Sequence, residues 1–380
     1  TTALDGSYVL VIEAAIGNTG VASYSFNAQK IVDDVKPLVL GESQGTSPQW
    51  TAGKLGGGIY LDGLQYGEVA NNASVDLNRT VTLEAWIKVD RFADTWTPLF
   101  SKASGVVNDR TYAVFLNSNG SLLFSTSDGG EQNVSTAGGL IGLNQWQHVA
   151  AVMDRNAGQM RLYIDGVERA SGTVRTTAAR SNTNPLLIGR QLETFTGATN
   201  FEGTIDEVRL WNVARTAAQI AAAKDSELTG SEAGLAVYLK ANEGTADRLI
   251  DASGHGNDAI IRPLYPSSGV VAGRIDHPGQ RDFYTFTLAE AKQLYFDSLT
   301  NNSALNWTLV GPRGTVISNK AFNASDSFDF GLGAPILDLA AGNYTLTIDI
   351  AADSTVPYAF RLLDLALAPV IVPGTTVSGQ

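Results

Sequence analysis

An all-β fold built from two sandwich units is predicted for this chain of 380 residues. Short strands that alternate apolar and polar residues recur roughly every 8–12 residues between positions 50 and 262, as they do in β-sandwiches. The chain holds 39 glycines, and glycine takes the positive φ angles that tight turns need. Only residues 216–224 have a convincing helical pattern, with Thr216 and Gln219 at capping-box spacing. This balance favours sheets over helices.

The first thirty residues are predicted to form a β-hairpin. Residues 7–29 alternate as two strands around the turn sequence GNTG, and a similar pattern of residues recurs at 344–360. We therefore interpret residues 1–35 as the terminal hairpin of a preceding sandwich repeat plus a linker, and residues 373–380 as the start of a following repeat or a tail. A lone hairpin is marginal in water. It is expected to pack on this chain or on a neighbouring copy, and the second arrangement could build a filament.

Residues 36–265 are predicted to form the larger all-β unit. The strand at 80–90 places valine, leucine, alanine and isoleucine on one face. The dipeptides Asn119-Gly120 and Asp165-Gly166 are signals for tight hairpins, because such turns need positive φ angles. A further strand at 203–212 precedes the predicted helix.

Residues 266–372 are predicted to form a second, smaller β-sandwich. A change of composition at RPLYPSSG, residues 262–269, marks its start. Strand patterns follow at 281–288, at 293–299, at 306–314 and within 334–350. The unit is about one hundred residues long, a common size for a small all-β domain.

Both units resemble known families. Residues 53–262 resemble laminin-G-like, concanavalin-A-like jelly-roll domains of bacterial surface proteins, through the stretches GGGIYLDG, VTLEAWIKVD, QWQHVAAVMD, GTIDEVRLWNVART and GLAVYLKANEG. Residues 267–366 resemble the bacterial pre-peptidase C-terminal type of β-sandwich, through RDFYTFTL, QLYFDSL and LAAGNYTLTID. The resemblances imply a secreted or cell-surface protein of several tandem modules, often an adhesin or an accessory region of a large exoprotein.

The composition limits the partners and the chemistry. A formal net charge of −12 disfavours nucleic acids and anionic membranes and favours cations such as calcium. No apolar run approaches the roughly 20 residues that span a bilayer, so membrane insertion is not expected. The chain has no cysteine, which excludes disulfides and thiol chemistry.

Four aspartates are candidate ligands of a structural calcium ion, which binds several oxygen atoms. Asp62 and Asp206 are attached to strongly apolar strands, where a carboxylate must be paired or hydrogen-bonded. Asp251 and Asp258 share the loop DASGHGND. The resemblance implies calcium as well, because laminin-G-like domains often hold it at a rim of the jelly roll. The alternative, in which these carboxylates accept hydrogen bonds from turn amides, stays open.

The sequence argues against a glycosidase of this fold. Such enzymes need two carboxylates that converge on the scissile bond. Asp206 and Glu207 are adjacent, so on a regular strand their side chains point to opposite faces. The same alternation places Asp206 on one face with Val208 and Leu210, which predicts partial burial of its carboxylate.

Trp96 is the candidate ligand-binding residue. It lies in RFADTWTP, which is predicted to be a loop between strands. A tryptophan in a loop can stack on a sugar or on a partner surface. The alternative is a loop that folds back on its own sheet.

Two classes of function are compatible with these features. The first is a non-enzymatic extracellular binding or adhesion module that recognises a glycan or a surface protein. The second is a structural stalk, surface-layer or filament subunit whose modules bind other copies or adjacent repeats. An accessory region of a secreted hydrolase is a third class. Exposed aromatic side chains beside a metal would favour the first class, and extensive contacts through the terminal hairpin would favour the second.

Overall fold

A computed structural model describes residues 35–45, 47–92, 96–104, 107–192, 200–265, 268–326, 336–351 and 354–368. Within these ranges the protein is almost entirely β, as predicted, with one α-helix. None of the described helical segments is long and apolar enough to cross a lipid bilayer. The hairpin predicted at residues 7–29 and the repeat start predicted at 373–380 lie outside the described residues.

Twenty-five strands and one helix follow each other along the described chain. The strands are β1 (Val35–Pro37), β2 (Gln49–Ala52), β3 (Gly57–Asp62), β4 (Gln65–Val69), β5 (Thr80–Val89), β6 (Trp96–Ala103), β7 (Arg110–Asn117), β8 (Leu122–Ser127), β9 (Glu131–Ser135), β10 (Trp146–Asp154), β11 (Gln159–Ile164), β12 (Val167–Thr173), β13 (Leu186–Ile188), β14 (Glu202–Trp211), β15 (Leu235–Leu239), β16 (Arg248–Leu249), β17 (Ala259–Pro263), β18 (Val270–Ile275), β19 (Asp282–Leu288), β20 (Lys292–Ser298), β21 (Leu305–Gly311), β22 (Gly314–Ala321), β23 (Ile336–Leu339), β24 (Gly342–Ile350) and β25 (Val356–Asp364). Helix α1 (Ala217–Ala223) lies between β14 and β15.

Strands β2 to β17 form a concanavalin-A-like jelly roll of two sheets. Sheet I has the order β12-β11-β10-β5-β14-β3-β2, with β15 also paired to β14, and sheet II has the order β16-β17-β4-β13-β6-β7-β8-β9. The core lies between them, because alternate residues of each strand point inward. Leu83 and Ile87 of β5 and Val114 and Leu116 of β7 belong to this buried cluster.

Helix α1 covers part of the outer face of sheet I. Thr216 is its N-cap, and the capping box with Gln219 is formed as predicted. Ile220, the buried residue of the helix, packs in one cluster with Val152 and Tyr163. The cap sets where the helix starts, and the buried Ile220 side chain sets the face that the helix turns to the sheet.

A second, smaller sandwich is formed by sheet III, with the order β1-β19-β24-β21-β22, and sheet IV, with the order β18-β25-β20-β23. Aromatic rings fill its core. Phe296 stacks on Trp307 with 4.0 Å between ring centroids and on Phe360 with 5.0 Å. Stacked aromatic pairs add stabilisation beyond the area that they bury.

The structure corrects the predicted start of the jelly roll at residue 36. Strand β1 pairs in parallel with β19 of the second sandwich, and Leu38 is buried in the core of that sandwich. Residues 35–45 therefore complete the second sandwich, and the jelly roll is inserted between these residues and β18. The sequence pattern could not show this, because it does not identify the partner of so short a strand.

Candidate functional site

An aromatic patch lies on the outer face of sheet II. Strand β7 directs Tyr112 and Val114 into the core, so Ala113 and Phe115 point to the opposite face. There Phe115 is directly opposite Leu123 of β8 and packs edge-to-face with Trp96, at 6.4 Å between ring centroids. Trp96 is partly exposed, so the patch presents an aromatic ring at the surface.

The structure corrects the expected position of Trp96. It is the first residue of β6 and faces Asn117 of β7, rather than lying in a loop between strands. Its orientation is therefore set by the pairing of two strands and by the ring of Phe115. A binding side chain on a strand is held more precisely than one on a loop.

Polar groups adjoin the aromatic patch. The Arg110 guanidinium lies 4.8 Å from the centre of the Phe115 ring. Its Nη1 donates to Ser125 Oγ at 2.9 Å and to Glu131 Oε1 at 2.6 Å. Arg110 is buried, whereas Glu131 is about one-third exposed. We refer to Trp96, Phe115, Arg110, Ser125 and Glu131 as the Trp96 site.

The sequence analysis identified Trp96 and missed the other members of this site. Arg110 and Glu131 are distant from Trp96 in the sequence, and only the pairing of β6, β7, β8 and β9 brings them together. A weak signal was present in the sequence YAVFLN. Phe115 there lies on the second face of a strand whose first face is already apolar.

A second cluster of polar side chains lies beneath α1, on the outer face of sheet I. Glu84 Oε1 accepts hydrogen bonds from Trp211 Nε1 and from Arg215 Nη1, each at 2.7 Å. His148 Nε2 lies 3.5 Å from Glu84 Oε2, and both side chains are fully buried. Burial and the nearby Arg209 lower the pKa of His148 to about 3. A neutral, inaccessible histidine fits a structural role better than a catalytic one.

The faces predicted for Asp206 and its neighbours are wrong, because β14 contains a β-bulge. Glu207 has a φ of 52°, and the register shifts at this point of the strand. An extra residue in a strand reverses the alternation beyond it. Val208 and Leu210 therefore lie in the core between the sheets. Asp206 lies on the outer face, opposite Trp86.

Asp206 anchors the loop between β2 and β3. The backbone amides of Lys54 and Leu55 both donate to its Oδ2, each at 2.8 Å. In the described part of the chain its Oδ1 has no hydrogen-bond partner. The side chain is fully buried, and this burial raises the pKa of Asp206 to about 7. Its carboxyl group thus titrates near neutral pH.

Asp62 ends β3 and precedes the turn at Gly63, whose φ is 87°. Its Oδ1 accepts a hydrogen bond from the Leu64 amide at 2.9 Å, and its Oδ2 accepts one from Gln49 Nε2 at 3.0 Å. Burial raises the pKa of Asp62, and the Leu64 amide opposes this effect. The turn at Asp62-Gly63 is therefore closed by the aspartate itself.

Asp251 and Asp258 close their common loop. The carboxylate oxygens of Asp251 accept hydrogen bonds from the amides of Tyr238, Ser253 and Asn257 and from the hydroxyl of Ser253. Asp258 accepts from the Asp251 amide at 2.8 Å and from Arg248 Nη1 at 3.1 Å. These N–H and O–H donors occupy the oxygen lone pairs that a cation would use.

Among the residues that the structure describes, no three His, Asp or Glu side chains come together as ligands for one metal ion. Asp62, Asp206 and the Asp251–Asp258 pair each interact with different partners, mostly N–H donors. This donor set suits a carboxylate better than a calcium ion, which needs several oxygens. Calcium binding at these residues stays a prediction.

Replacing Asp206 by asparagine is expected to remove a pH dependence of stability. An unfolded aspartate titrates near ~3.9, whereas burial raises the pKa of Asp206 in the fold to about 7. Between these values the folded chain binds more protons than the unfolded chain, so the free energy of unfolding falls as the pH rises from about 4 to about 7. In thermal melts, the Tm of the wild type minus that of Asp206→Asn should therefore be largest at low pH. A difference that does not change with pH would contradict this effect.

A chelator arm of the same experiment tests calcium. An ion that binds only the folded state stabilises it by about 2.7 kcal/mol at 100 times its Kd. If calcium binds Asp206, a chelator at pH 7.5 lowers the wild-type Tm by several degrees, and Asp206→Asn reproduces most of that loss. An unchanged wild-type melting curve would contradict calcium binding at Asp206.

Residues 61–221 match the family model described as the concanavalin A-like lectin/glucanases superfamily, Laminin_G_3. This match agrees with the jelly roll that the sequence resemblance implied for residues 53–262. The resemblance of residues 267–366 to the pre-peptidase C-terminal type stays a prediction. A search of curated proteins returns no match.

Several solved structures are similar to part of the chain. A candidate carbohydrate-binding protein from Bacteroides ovatus is 25% identical, with a TM-score of 0.43, over 55% of this chain and 59% of that protein, so the chain spans less than two thirds of its length. Module CBM40 of the Ruminococcus gnavus IT-sialidase, bound to α2,3-sialyllactose, is 15% identical, with a TM-score of 0.38, over 46% of this chain and 97% of the module. Domain 4 of the Geobacillus stearothermophilus arabinanase AbnA, in complex with arabinotriose, is 21% identical, with a TM-score of 0.37, over 48% of this chain and 85% of that domain.

Proposed function

We propose that the jelly roll is a non-enzymatic glycan-binding module and that its ligand binds at the Trp96 site. The observation that carries this proposal is a series of contacts on one sheet face: the partly exposed Trp96 packs against Phe115, the Phe115 ring lies beside the buried Arg110 guanidinium, and Arg110 pairs with the partly exposed Glu131. The match of residues 61–221 to a superfamily of lectins and glucanases supports it. In this proposal the module belongs to a secreted or cell-surface protein and acts in adhesion.

The aromatic part of the site suits the apolar face of a sugar ring. Trp96 and Phe115 are held edge-to-face, so one ring orients the other. An aromatic side chain offers a large apolar surface and loses little conformational entropy on binding, because only two χ angles must be fixed. A sugar that stacks on Trp96 would cover the exposed part of its indole ring.

The polar part of the site suits sugar hydroxyl groups. Glu131 uses Oε1 for Arg110 and Ser125. A carboxylate can accept several hydrogen bonds, so the exposed Glu131 can accept further bonds from ligand hydroxyls. Asn133, which is exposed and pairs with Ser125 across β8 and β9, adds an amide donor and acceptor nearby. A few fixed polar groups beside an aromatic surface are typical of ligand sites.

The same contacts argue against hydrolysis at this site. A retaining glycosidase needs two carboxyl groups about 5–5.5 Å apart, and an inverting one needs about 6.5–9.5 Å. Among the described residues that define the Trp96 site, Glu131 is the single carboxylate, and it forms an ion pair with Arg110. Arg110 and Ser125 both donate to its Oε1, so the contacts of this carboxylate are those of a hydrogen-bond acceptor.

Replacing Trp96 by alanine is expected to weaken glycan binding at least tenfold. The change removes the stacking surface, and tenfold in Kd corresponds to about 1.4 kcal/mol. Because Trp96 is only partly buried, its loss should cost less stability than the roughly 3–5 kcal/mol of a buried tryptophan. A glycan array identifies the ligand, and titration calorimetry with that glycan compares the variants.

Trp146→Ala is the matched control, because Trp146 is a partly exposed tryptophan at the start of β10 in the other sheet. Its Kd should equal that of the wild type. Glu131→Gln keeps the shape of the side chain and removes its charge, and we expect weaker binding. Because the change also removes the charge that faces the buried Arg110, the Tm of this variant is measured together with its Kd. A glycan array without hits, or Trp96→Ala binding as tightly as the wild type, would contradict the proposal.

A further inference from the structure

The chain segment that precedes the jelly roll is bound to the second sandwich. Val35, Lys36 and Pro37 pair in parallel with β19, and the Leu38 amide donates to Thr285 O at 2.8 Å. Leu38 is 5% exposed and packs in the core of the second sandwich. These contacts hold residues 35–38 by backbone hydrogen bonds and by apolar burial.

The two connections to the jelly roll leave the second sandwich side by side. Gln44 forms a parallel bridge with Val271, in which its amide donates to Val270 O and its carbonyl accepts from the Ala272 amide, both at 2.8 Å. The Val270 amide also donates to Ser43 Oγ. The chain therefore departs for the jelly roll and returns to the second sandwich at one hydrogen-bonded position.

From this topology we infer that the second sandwich carries tension applied along the chain and that the jelly roll lies outside the load path. The chain reaches the second sandwich at β1 and leaves it after β25, and both strands belong to that sandwich. While residues 35–45 stay bound, the bridge between Gln44 and Val271 holds the two ends of the insert together. No tension then acts on the inserted strands. This is a stalk function for the second sandwich, independent of the glycan-binding proposal.

Side-chain contacts also fix the insert against the sandwich that bears it. Arg274 of β18 forms an ion pair with Glu202 of β14, and Glu202 is 2% exposed in its side chain. Tyr265 donates its hydroxyl to Leu299 O, and Leu64 of the jelly roll packs with Val270 and Ala359 of the sandwich. The jelly roll therefore packs against the second sandwich through side-chain contacts and is not joined to it by the two chain connections alone.

Single-molecule force spectroscopy on the full chain, tethered at both ends, tests this inference. Residues 47–265 number about 220 and extend to roughly 75 nm at about 3.4 Å per residue. An increase of ~75 nm in the extended length of the chain would therefore mark the unfolding of the jelly roll. We expect the first rupture to come from the second sandwich and never to show this ~75 nm increase. Leu38→Ala should lower the force of the first rupture, because it weakens the bound segment. Leu83→Ala, a matched change in the core of the jelly roll, should not alter that force.

An engineered disulfide provides an independent readout. The chain has no cysteine, and Val35 and Phe283 are register partners, so Val35→Cys with Phe283→Cys should form a disulfide in the folded chain. In the oxidised variant the ~75 nm release should be absent, and reduction should restore it. Three outcomes would overturn the inference. The disulfide does not form, the first event is a ~75 nm release, or the force of the first rupture is lowered by Leu83→Ala and not by Leu38→Ala. Leu38→Val replaces Leu38→Ala if circular dichroism shows that the alanine variant does not fold.

Discussion

Replacing Arg209 by alanine is expected to lower the free energy of unfolding of the jelly roll by about 3–5 kcal/mol, the cost of breaking a buried ion pair by removing one partner. Arg209 and Glu207 form an ion pair on the outer face of sheet I in which each side chain is 1% exposed. The Tyr238 hydroxyl donates to the same carboxylate at 2.7 Å. Without the guanidinium, the carboxylate stays buried with a single strong donor.

Arg209 also fixes the chain that follows α1. Its Nη1 donates to Ala223 O at 2.9 Å, and its Nη2 donates to Ser226 O at 2.6 Å. Its loss would leave these carbonyl groups without this donor beneath the helix end, and a buried polar group without a partner costs about 1–3 kcal/mol. Burial already raises the pKa of Glu207, so we expect the variant to bind a proton at this carboxylate more readily than the wild type.

Chemical denaturation of the wild type and Arg209→Ala measures the effect. Arg262→Ala is the control, because Arg262 pairs with Glu68 on the surface, where the side chains are 45% and 26% exposed. Exposed pairs of this kind contribute about 0–1 kcal/mol. Equal losses in the two arginine variants would contradict a special role for the buried pair.

Replacing Leu38 by alanine is expected to destabilise the second sandwich by about 2–5 kcal/mol, the range for a leucine truncated in a core. Leu38 is buried with Tyr284, Phe286 and Leu346 of that sandwich. It lies more than two hundred residues before these partners. The boundary predicted at residue 36 would place Leu38 in the jelly roll and predicts no effect on the second sandwich, so this substitution separates the two topologies.

Hydrogen exchange locates the effect of Leu38→Ala. We expect faster exchange of the amides of β19 and β24, which follow β1 in sheet III, and unchanged exchange in β5 and β10 of the jelly roll. Val39→Ala is the matched control, because the neighbouring Val39 is 47% exposed. A loss of protection in the jelly roll alone would contradict the placement of residues 35–45 on the second sandwich.

Local patterns in the sequence were enough to locate strands, turns and the helix. The strand predicted at 80–90 is β5, Thr80–Val89, and the helix predicted at 216–224 is α1 with its capping box. Asp165 and Gly166 have φ angles of 53° and 80°, as the predicted tight hairpin requires. Side-chain alternation, a helix cap and a positive φ angle each depend on residues a few positions apart, so a sequence contains them.

The candidate site was predictable only in part. Trp96 was recognisable as a residue that can stack on a ligand, but its place at the start of β6 was not recognisable. The burial of Asp206 was predicted, and yet it occurs on the face opposite to the expected one. The bulge at Glu207 reverses the alternation, and no residue pattern in TIDEVRLWN reveals a single extra residue in the strand.

The tertiary structure decided which strands are partners. Backbone hydrogen bonds between strands are nearly independent of side-chain identity, so the sequence of β1 does not show whether it pairs with β2, 12 residues after it, or with β19. The choice depends on where Leu38 can be buried and on the bridge at Gln44, which form only when distant segments fold together. Because side-chain alternation and turn residues are local, the sequence by itself determined that the chain is an all-β protein with a jelly roll and a second sandwich. Only the packed structure shows that the jelly roll is inserted into that sandwich and that Phe115 connects Trp96 to Arg110 and Glu131.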